Sequence, residues 1–580
     1  MLDAVLLGHF LLQAGRIAFA ATLFFVLYGL GSRVDVPDAA ERLLLRIATG
    51  FAIFQFVLRW AGELPLLTPF GTLALVVLLG VIGAYRLPLP SLGVPVEWRT
   101  IAILLLLVAP LGMALAPAVS KDALIYHLRF PEQTLAEGRW SYDPANSASF
   151  YPSATSTLYL ATLALDRSGS TAQLVHLGFF ILSIAAVAAV ARRLGAATGL
   201  SAALLFAAVP TAGIVAGWSW SDLSLVFVLA TAVLALFGRQ HALALLLLGL
   251  SAAIKYNALL AAIPLVLAAL LAILRARAWR SLAIGVLLGL AAMAPWYLTN
   301  ALRTGNPIYP LLSAAHGATE AVGTWSNEAG ASWGAIWSGY FLRPQTLDED
   351  IGGLLFLIVA VVGLAASRQR FAAVVAVAMW LVFLPFTPAL RLLLPAVAAV
   401  LVVAGAALEG RRLAAALVLA FAIRGGIVVA AHNAQFLNPF PAAAGIEDGD
   451  AYVARNFEPA PLFARAAASL PPNARVVAVN EVRLFRFPRP VRAARVFDPP
   501  LLARYLSGAT SEEEVLGRFR RDGVTHLLLA AKPVERGTPP RLGAEAERLF
   551  TAVLRRSRIV EREGNTLLVA LEQRTIPSSH

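Results

Sequence analysis

Residues 100–152 read TIAILLLLVAPLGMALAPAVSKDALIYHLRFPEQTLAEGRWSYDPANSASFYP, and the step from apolar run to polar loop inside this stretch decides the fold. Thr100 to Val119 is long enough, at about 20 residues, to cross a bilayer as a helix. The residues after Val119 are aromatic, polar and punctuated by proline, with Asp122 just beyond the apolar run. A carboxylate at that depth stands where water ends and lipid begins. It can meet both a lipid-borne molecule and a soluble one, which makes it a candidate catalyst.

The rest of the chain repeats this pattern. Of its 580 residues 59% are hydrophobic and 14% charged, with a mean hydropathy of +0.74, values that a soluble domain could hardly bury. Apolar runs recur to about Ala431, after which charge, proline and short apolar stretches mix. The expected fold class is an α-helical polytopic membrane protein with about fourteen transmembrane helices and a small C-terminal α/β domain. The spans are expected to begin near residues 10, 43, 66, 100, 171, 198, 219, 241, 258, 281, 351, 371, 390 and 413. The chain then divides into three regions: N-terminal helices over 1–99, a core over 100–431 with polar loops at 120–170 and 300–350, and a soluble domain over 432–580.

Charge sets the orientation. Arg192-Arg193, Gly238-Arg239, Arg275 to Arg280, Ser367 to Arg370 and Arg411-Arg412 fall on alternate connections, and the positive-inside rule assigns that side to the cytoplasm. The Asp122 loop, the 300–350 loop and the C-terminal region then face outward, to the periplasm of a bacterial inner membrane. The net charge of +13 is explained by this topology and by anionic lipid headgroups, without a nucleic acid partner. With no cysteine, disulfides and thiolate metal sites are excluded. Met1 to Gly15 lacks a basic n-region, so the first span is expected to remain as an anchor.

In the first loop Ser120 is placed to cap a short helix, Pro131 to begin a second and Gly138 to end it. Asp122, Tyr126 and Arg129 would share one face and Leu124 and Leu128 another, an amphipathic pattern expected to lie along the membrane surface. Asp122 also suits a helix N-terminus for purely structural reasons. Tyr151-Pro152 opens an apolar stretch to Leu165 that reads as a re-entrant or surface helix. In GWSWSD, residues 217–222, the tryptophans read as interface markers, and Ser221 or Asp222 reads first as a helix cap and also as a site residue, the two being compatible. Lys255, followed by Tyr256 and Asn257, sits between two apolar segments, where an ammonium facing lipid costs about 2.5 to 3.5 kcal/mol. It either faces a cavity or anion or snorkels to the headgroups.

Asn300 and Arg303 lie in the turn-rich PWYLTNALRTGNPIYP, and Arg303 reads as an anion ligand or an interfacial snorkel. Arg391 opens an outer-leaflet span without an acidic neighbour in sequence, so an external anion or a carboxylate from another loop is its candidate partner. Asp348-Glu349-Asp350 can be read as a metal pair or as a cap on the span beginning near Ile351. No zinc-protease, P-loop or dinucleotide motif is present, and no metal site is expected. In the C-terminal region ARVVAVN and GVTHLLLA read as strands flanking a helix that starts at Ser511 and stops at Gly523, with a hairpin from Arg558 to Leu571. Nothing in that region forms a catalytic constellation, which suits a lid or acceptor-binding accessory.

In this order DALIYHLRFPEQTLAEGRW, Ser221-Asp222, Lys255-Tyr256-Asn257, NALRTGNPIYP and RLLLP resemble GT-C membrane glycosyltransferases over roughly residues 100–410. The nearest style is that of the bacterial polyprenyl-phosphate-sugar-dependent enzymes related to protein O-mannosyltransferases and aminoarabinose transferases. The resemblance implies inverting transfer of a sugar from a polyprenyl-phosphate donor to an unidentified glycan, lipid or protein acceptor, with Asp122 as general base. Asp222 would orient the acceptor or share its proton, and Lys255 and Arg391 would hold the phosphate. Tyr126, His127, Tyr256, Asn300 and Arg303 would bind substrate. Met1 to Arg99 adds spans ahead of the matching core, and the second loop carries no clear metal motif, so no cofactor is expected and metal independence is the default. The competing class is a non-catalytic transporter or flippase of a lipid-linked glycan.

Overall fold

The computed structural model describes residues 2–84, 97–312, 341, 349–383, 389–495, 498–533 and 542–572. A chain in lipid must satisfy its backbone N–H and C=O groups internally, so the apolar runs become helices. These are α1 (Leu2–Leu30), α2 (Ala39–Ala61), α3 (Pro69–Ala84), α4 (Trp98–Leu115), α5 (Arg129–Glu137), α6 (Ala154–Leu163) and α7 (Ser170–Arg193). Next come α8 (Leu200–Ala207), α9 (Pro210–Ala216), α10 (Asp222–Phe237), α11 (His241–Ile254), α12 (Asn257–Ala276) and α13 (Trp279–Thr304). The core closes with α14 (Gly353–Ala366), α15 (Arg370–Phe383), α16 (Leu394–Leu408) and α17 (Arg412–His432).

The protein is a multi-pass membrane protein. Among the described residues eight helices are long and apolar enough to cross a membrane, fewer than the fourteen expected, and five further apolar helices are shorter. The span expected from residue 198 is two short helices, α8 and α9. Pro210 opens the second, and its ring and missing N–H prevent the first from running on. Lipid gives apolar helices no hydrophobic reason to associate, so close packing must do it. Gly285 and Gly289 of α13 supply it against α11, where a side chain on Gly249 would strike the Gly289 backbone.

The ends of the bundle differ. Glu41, at the start of α2, pairs with Arg193 at 2.6 Å, and Gln369 donates to the Leu194 carbonyl at 3.2 Å. Glu409 accepts the backbone N–H groups of Thr198 and Gly199. The connections bearing Arg192, Arg368 and Arg411 therefore gather at one end. The starts of α10, α12 and α16, with Asp222, Lys255 and Arg391, lie at the other.

The first loop departs from expectation. Residues Ala123–His127 form a π-helical turn ahead of α5, and the wider turn changes which side chains share a face. Tyr126 stays beside Asp122, but Arg129 turns away and donates to the Val491 carbonyl at 2.6 Å. Among the described residues the Ser120 hydroxyl has no hydrogen-bond partner, so it caps no helix there. Pro131 sits in the first turn of α5 rather than at its start, while Gly138, at φ +70, ends it as expected. Nor is the segment a surface amphipathic helix: Leu124, His127, Leu128 and Arg129 are all buried. Likewise α6 is buried along its length.

What covers the loop is the C-terminal domain. Its sheet comprises β1 (Val476–Val479), β2 (Val491–Ala493), β3 (His526–Ala530), β4 (Arg558–Glu563) and β5 (Thr566–Ala570), in the order β2-β1-β3-β5-β4. β1 is parallel to β2 and β3, while β5 is antiparallel to β3 and β4. Ser511 caps the helix at Glu512–Arg521, and Gly523 follows it in the left-handed conformation. The Phe485 N–H donates to the Leu124 carbonyl at 3.1 Å, the Arg486 N–H to Glu132 at 2.9 Å, and the Ser147 N–H to Asp498 at 3.2 Å. This seam runs the length of the first loop.

Candidate active site

Two acid–cation pairs form the site. Asp122 Oδ2 lies 2.8 Å from Arg391 Nη2 and accepts the Tyr126 hydroxyl at 2.9 Å. Asp222 Oδ1 lies 2.8 Å from Lys255 Nζ. Each member sits where a helix begins or breaks. Asp222 opens α10, Lys255 occupies the extended break between α11 and α12, and Arg391 lies in the 3-10 turn before α16. Such breaks free charged side chains to face inward at the end of the bundle instead of lipid.

Neither proposed cap operates: among the described residues the Ser221 hydroxyl and Asp222 Oδ2 have no hydrogen-bond partner. The tryptophans do not mark the interface either. Trp218 and Trp220 are buried against one another, and the Arg391 guanidinium lies over the Trp220 ring at 4.3 Å from its centre. Stacked there, the Arg391 charge is supported by the aromatic face.

Burial would raise the Asp122 carboxyl, but the Arg391 charge, with the Tyr126 hydrogen bond and Arg495, holds it well below the usual carboxylate range. Asp122 is therefore ionised, and a weak base while the pair is intact. The Tyr126 hydroxyl is pushed well above its ordinary value by burial and by Asp122, so it stays a donor. Burial, reinforced by Lys255 and opposed by Asp122 and Asp222, pushes His127 down to about 3. His127 is thus neutral at pH 7, its ring 4.2 Å from that of Tyr126 and both ring nitrogens buried without a partner among the described residues.

Tyr256 borders the site and is itself braced. Its hydroxyl donates to the Tyr309 carbonyl at 2.6 Å and accepts from Asn300 Nδ2 at 3.0 Å. Asn300 also donates to the Phe150 carbonyl at 2.9 Å and is buried, which makes it a brace rather than an open ligand. Arg303 stands apart from both pairs: it binds Glu63 at 3.0 Å and lies over the Tyr142 ring. Asp350 belongs to an ion pair with Arg424 at 2.6 Å, Asp348 lies outside the described residues, and no group of three His, Asp or Glu gathers among those described.

Sequence reading missed Arg495. From the chain after β2 it donates to the Tyr151 hydroxyl at 2.9 Å, with its guanidinium 5.8 Å from the Tyr126 ring and 5.7 Å from that of Tyr151. Nothing in PRPVRAARVFDPP, residues 488–500, separates Arg495 from its neighbours Arg489 and Arg492.

Beyond the pairs, toward the opposite end of the bundle, an apolar groove of about 320 Å³ follows α10, α12 and α16. Val226, Leu229, Val233, Leu265, Phe371 and Val402 line it. The helices that carry Asp222, Lys255 and Arg391 at their starts thus wall the groove together with α7 and α15.

No protein-family model matches the chain, and no curated protein matches it either. Solved structures do. ArnT from Cupriavidus metallidurans bound to undecaprenyl phosphate is 17% identical with a TM-score of 0.50, over 82% of this chain and 98% of that one. The same enzyme in its apo state is 16% identical with a TM-score of 0.52, over 82% of this chain and 97% of that one. Over 82% of its length the chain shares the fold of these two structures, the fold expected from the order of its sequence motifs.

Proposed function

We propose that this protein is a glycosyltransferase that moves a sugar from a polyprenyl-phosphate donor to an acceptor outside the cytoplasmic membrane of a bacterium. The observation that carries the reading is the meeting of two acid–cation pairs at one end of the bundle, Asp122 with Arg391 and Asp222 with Lys255. The groove along the same helices supports a donor with a long apolar tail, and the fold shared with ArnT supports glycosyl transfer.

In this reading the donor phosphate takes Arg391 and Lys255 as its counter-ions. An anion beside Arg391 weakens that residue's hold on Asp122, so the carboxylate becomes a stronger base when the donor is present. Asp122 then accepts the proton of the incoming acceptor hydroxyl or amine. The acceptor atom bonds to the sugar's anomeric carbon from the face opposite the phosphate, and the carbon–oxygen bond to phosphate breaks. The electron pair leaves with polyprenyl phosphate, whose charge the two cations stabilise. Attack from the opposite face inverts the anomeric centre. Asp222, freed from Lys255, orients the acceptor, while Tyr126 and His127 hold the polar groups around the base. No metal is required by these steps.

The test is chemical. Purified protein in nanodiscs, given undecaprenyl-phosphate-linked pentoses and hexoses with an envelope extract as acceptor, should release undecaprenyl phosphate and label the extract. Movement of intact donor across a bilayer without cleavage would identify a transporter instead.

A further inference from the structure

Arg495 is the one guanidinium described that packs against both Tyr126 and Tyr151. The two rings stand edge to face with centres 6.1 Å apart. Each leads to a different half of the site. Tyr126 donates to Asp122 at 2.9 Å, and the Tyr151 ring is 6.0 Å from that of Tyr256, which follows Lys255. Arg495 is itself buried, and its backbone N–H is held by Asp498 at 3.0 Å. That same carboxylate takes the Ser147 N–H of the first loop, tying Arg495 to the segment it presses upon.

A π-helical turn is a poor structure to leave unsupported, because its backbone geometry is less favourable than that of the α-helix on either side. Here the C-terminal domain holds the turn through Phe485 at the Leu124 carbonyl and Arg495 at the Tyr126 ring, and holds α5 just after it through Val491 at Arg129 and Arg486 at Glu132.

We infer that Arg495 is a positioning residue: by docking on the first loop, the C-terminal domain clamps Tyr126 and Tyr151 through this side chain and so aligns both acid–cation pairs. The domain is then part of the active site rather than a detachable lid. This inference rests on the proposed transferase reading only for its kinetic consequence. A planar, charged group is needed over two rings at once, so lysine should serve in part and glutamine should not.

The experiment uses the full chain in nanodiscs with 3-fluorotyrosine at position 126. In Arg495→Gln the fluorine resonance should shift and broaden, and Arg495→Lys should move it back toward the wild-type position. On the undecaprenyl-phosphate-linked sugar that the wild type turns over, Arg495→Gln should lower kcat about tenfold with the donor KM nearly unchanged, and lysine should restore most of it. If Arg495→Gln does not fold, Tyr151→Phe, which removes only the hydroxyl that Arg495 binds, should shift the same resonance. A resonance unmoved in the folded Arg495→Gln or Tyr151→Phe protein overturns the inference, whatever turnover does. A responsive resonance in a protein that cleaves no donor supports the clamp and sinks the transferase reading.

Discussion

Asp122 and Arg391 are separated by 269 residues of chain and by 2.8 Å in space. Their meeting was legible only from one side, because an arginine opening an apolar span with no acid nearby pointed to an anion or a distant carboxylate, whereas Asp122 read equally well without a cation. Lys255 announced itself by the same logic. The pairing was not legible, since nothing local says which acid takes which cation, and Arg495 left no trace because its partner Tyr151 lies 344 positions away. Buried pairs make a thermodynamic prediction at this scale. Asp222→Asn strands the Lys255 ammonium in a largely buried site and should cost about 3 to 5 kcal/mol, whereas the double variant Asp222→Asn with Lys255→Met should recover most of that loss. Unfolding in nanodiscs checks it; equal stability of the single and double variants would show that the pair is solvated.

At the scale of elements, the apolar runs were readable and their interruptions were not. Length and hydropathy locate α4, α7 and α17, but the break at Pro210 and the π-helical turn at Ala123–His127 depend on what packs against them. The first loop read as amphipathic because its sequence is mixed, yet Arg129 and Glu132 are spent on the C-terminal domain while Asp122 and Tyr126 turn to the site. Glu132 records this burial: desolvation pushes it from an ordinary 4.5 up to about 7, although Arg486 and Arg129 oppose the shift. Folding therefore favours its protonated form. Stability from this group is greatest below about 4.5, falls as pH rises, and is lowest above about 7. Melting of the wild type should drop between pH 5 and pH 8 by more than that of Glu132→Gln, which has no such proton to lose. Parallel curves for the two proteins would place Glu132 outside the seam.

For the whole molecule, composition fixed the membrane class and charge proposed the orientation, while the contact between core and C-terminal domain could be learned only from the fold. The basic connections gather at one end of the bundle and the acid–cation pairs at the other, so one topology experiment sets both. The chain has no cysteine, which makes single-cysteine labelling clean. In intact spheroplasts a membrane-impermeant maleimide should label Arg521→Cys, in the C-terminal domain, and leave Arg411→Cys unlabelled until the membrane is opened. The reverse pattern would put the site on the cytoplasmic side and remove the argument for an external acceptor. The measurement closest to the central claim compares wild type with Asp122→Asn in nanodiscs, scoring release of undecaprenyl phosphate from its sugar-linked form alongside binding of undecaprenyl phosphate. A positioned base contributes about 10² to 10⁴-fold, so the variant should lose turnover by that factor and keep binding the lipid; full turnover in Asp122→Asn would contradict the account.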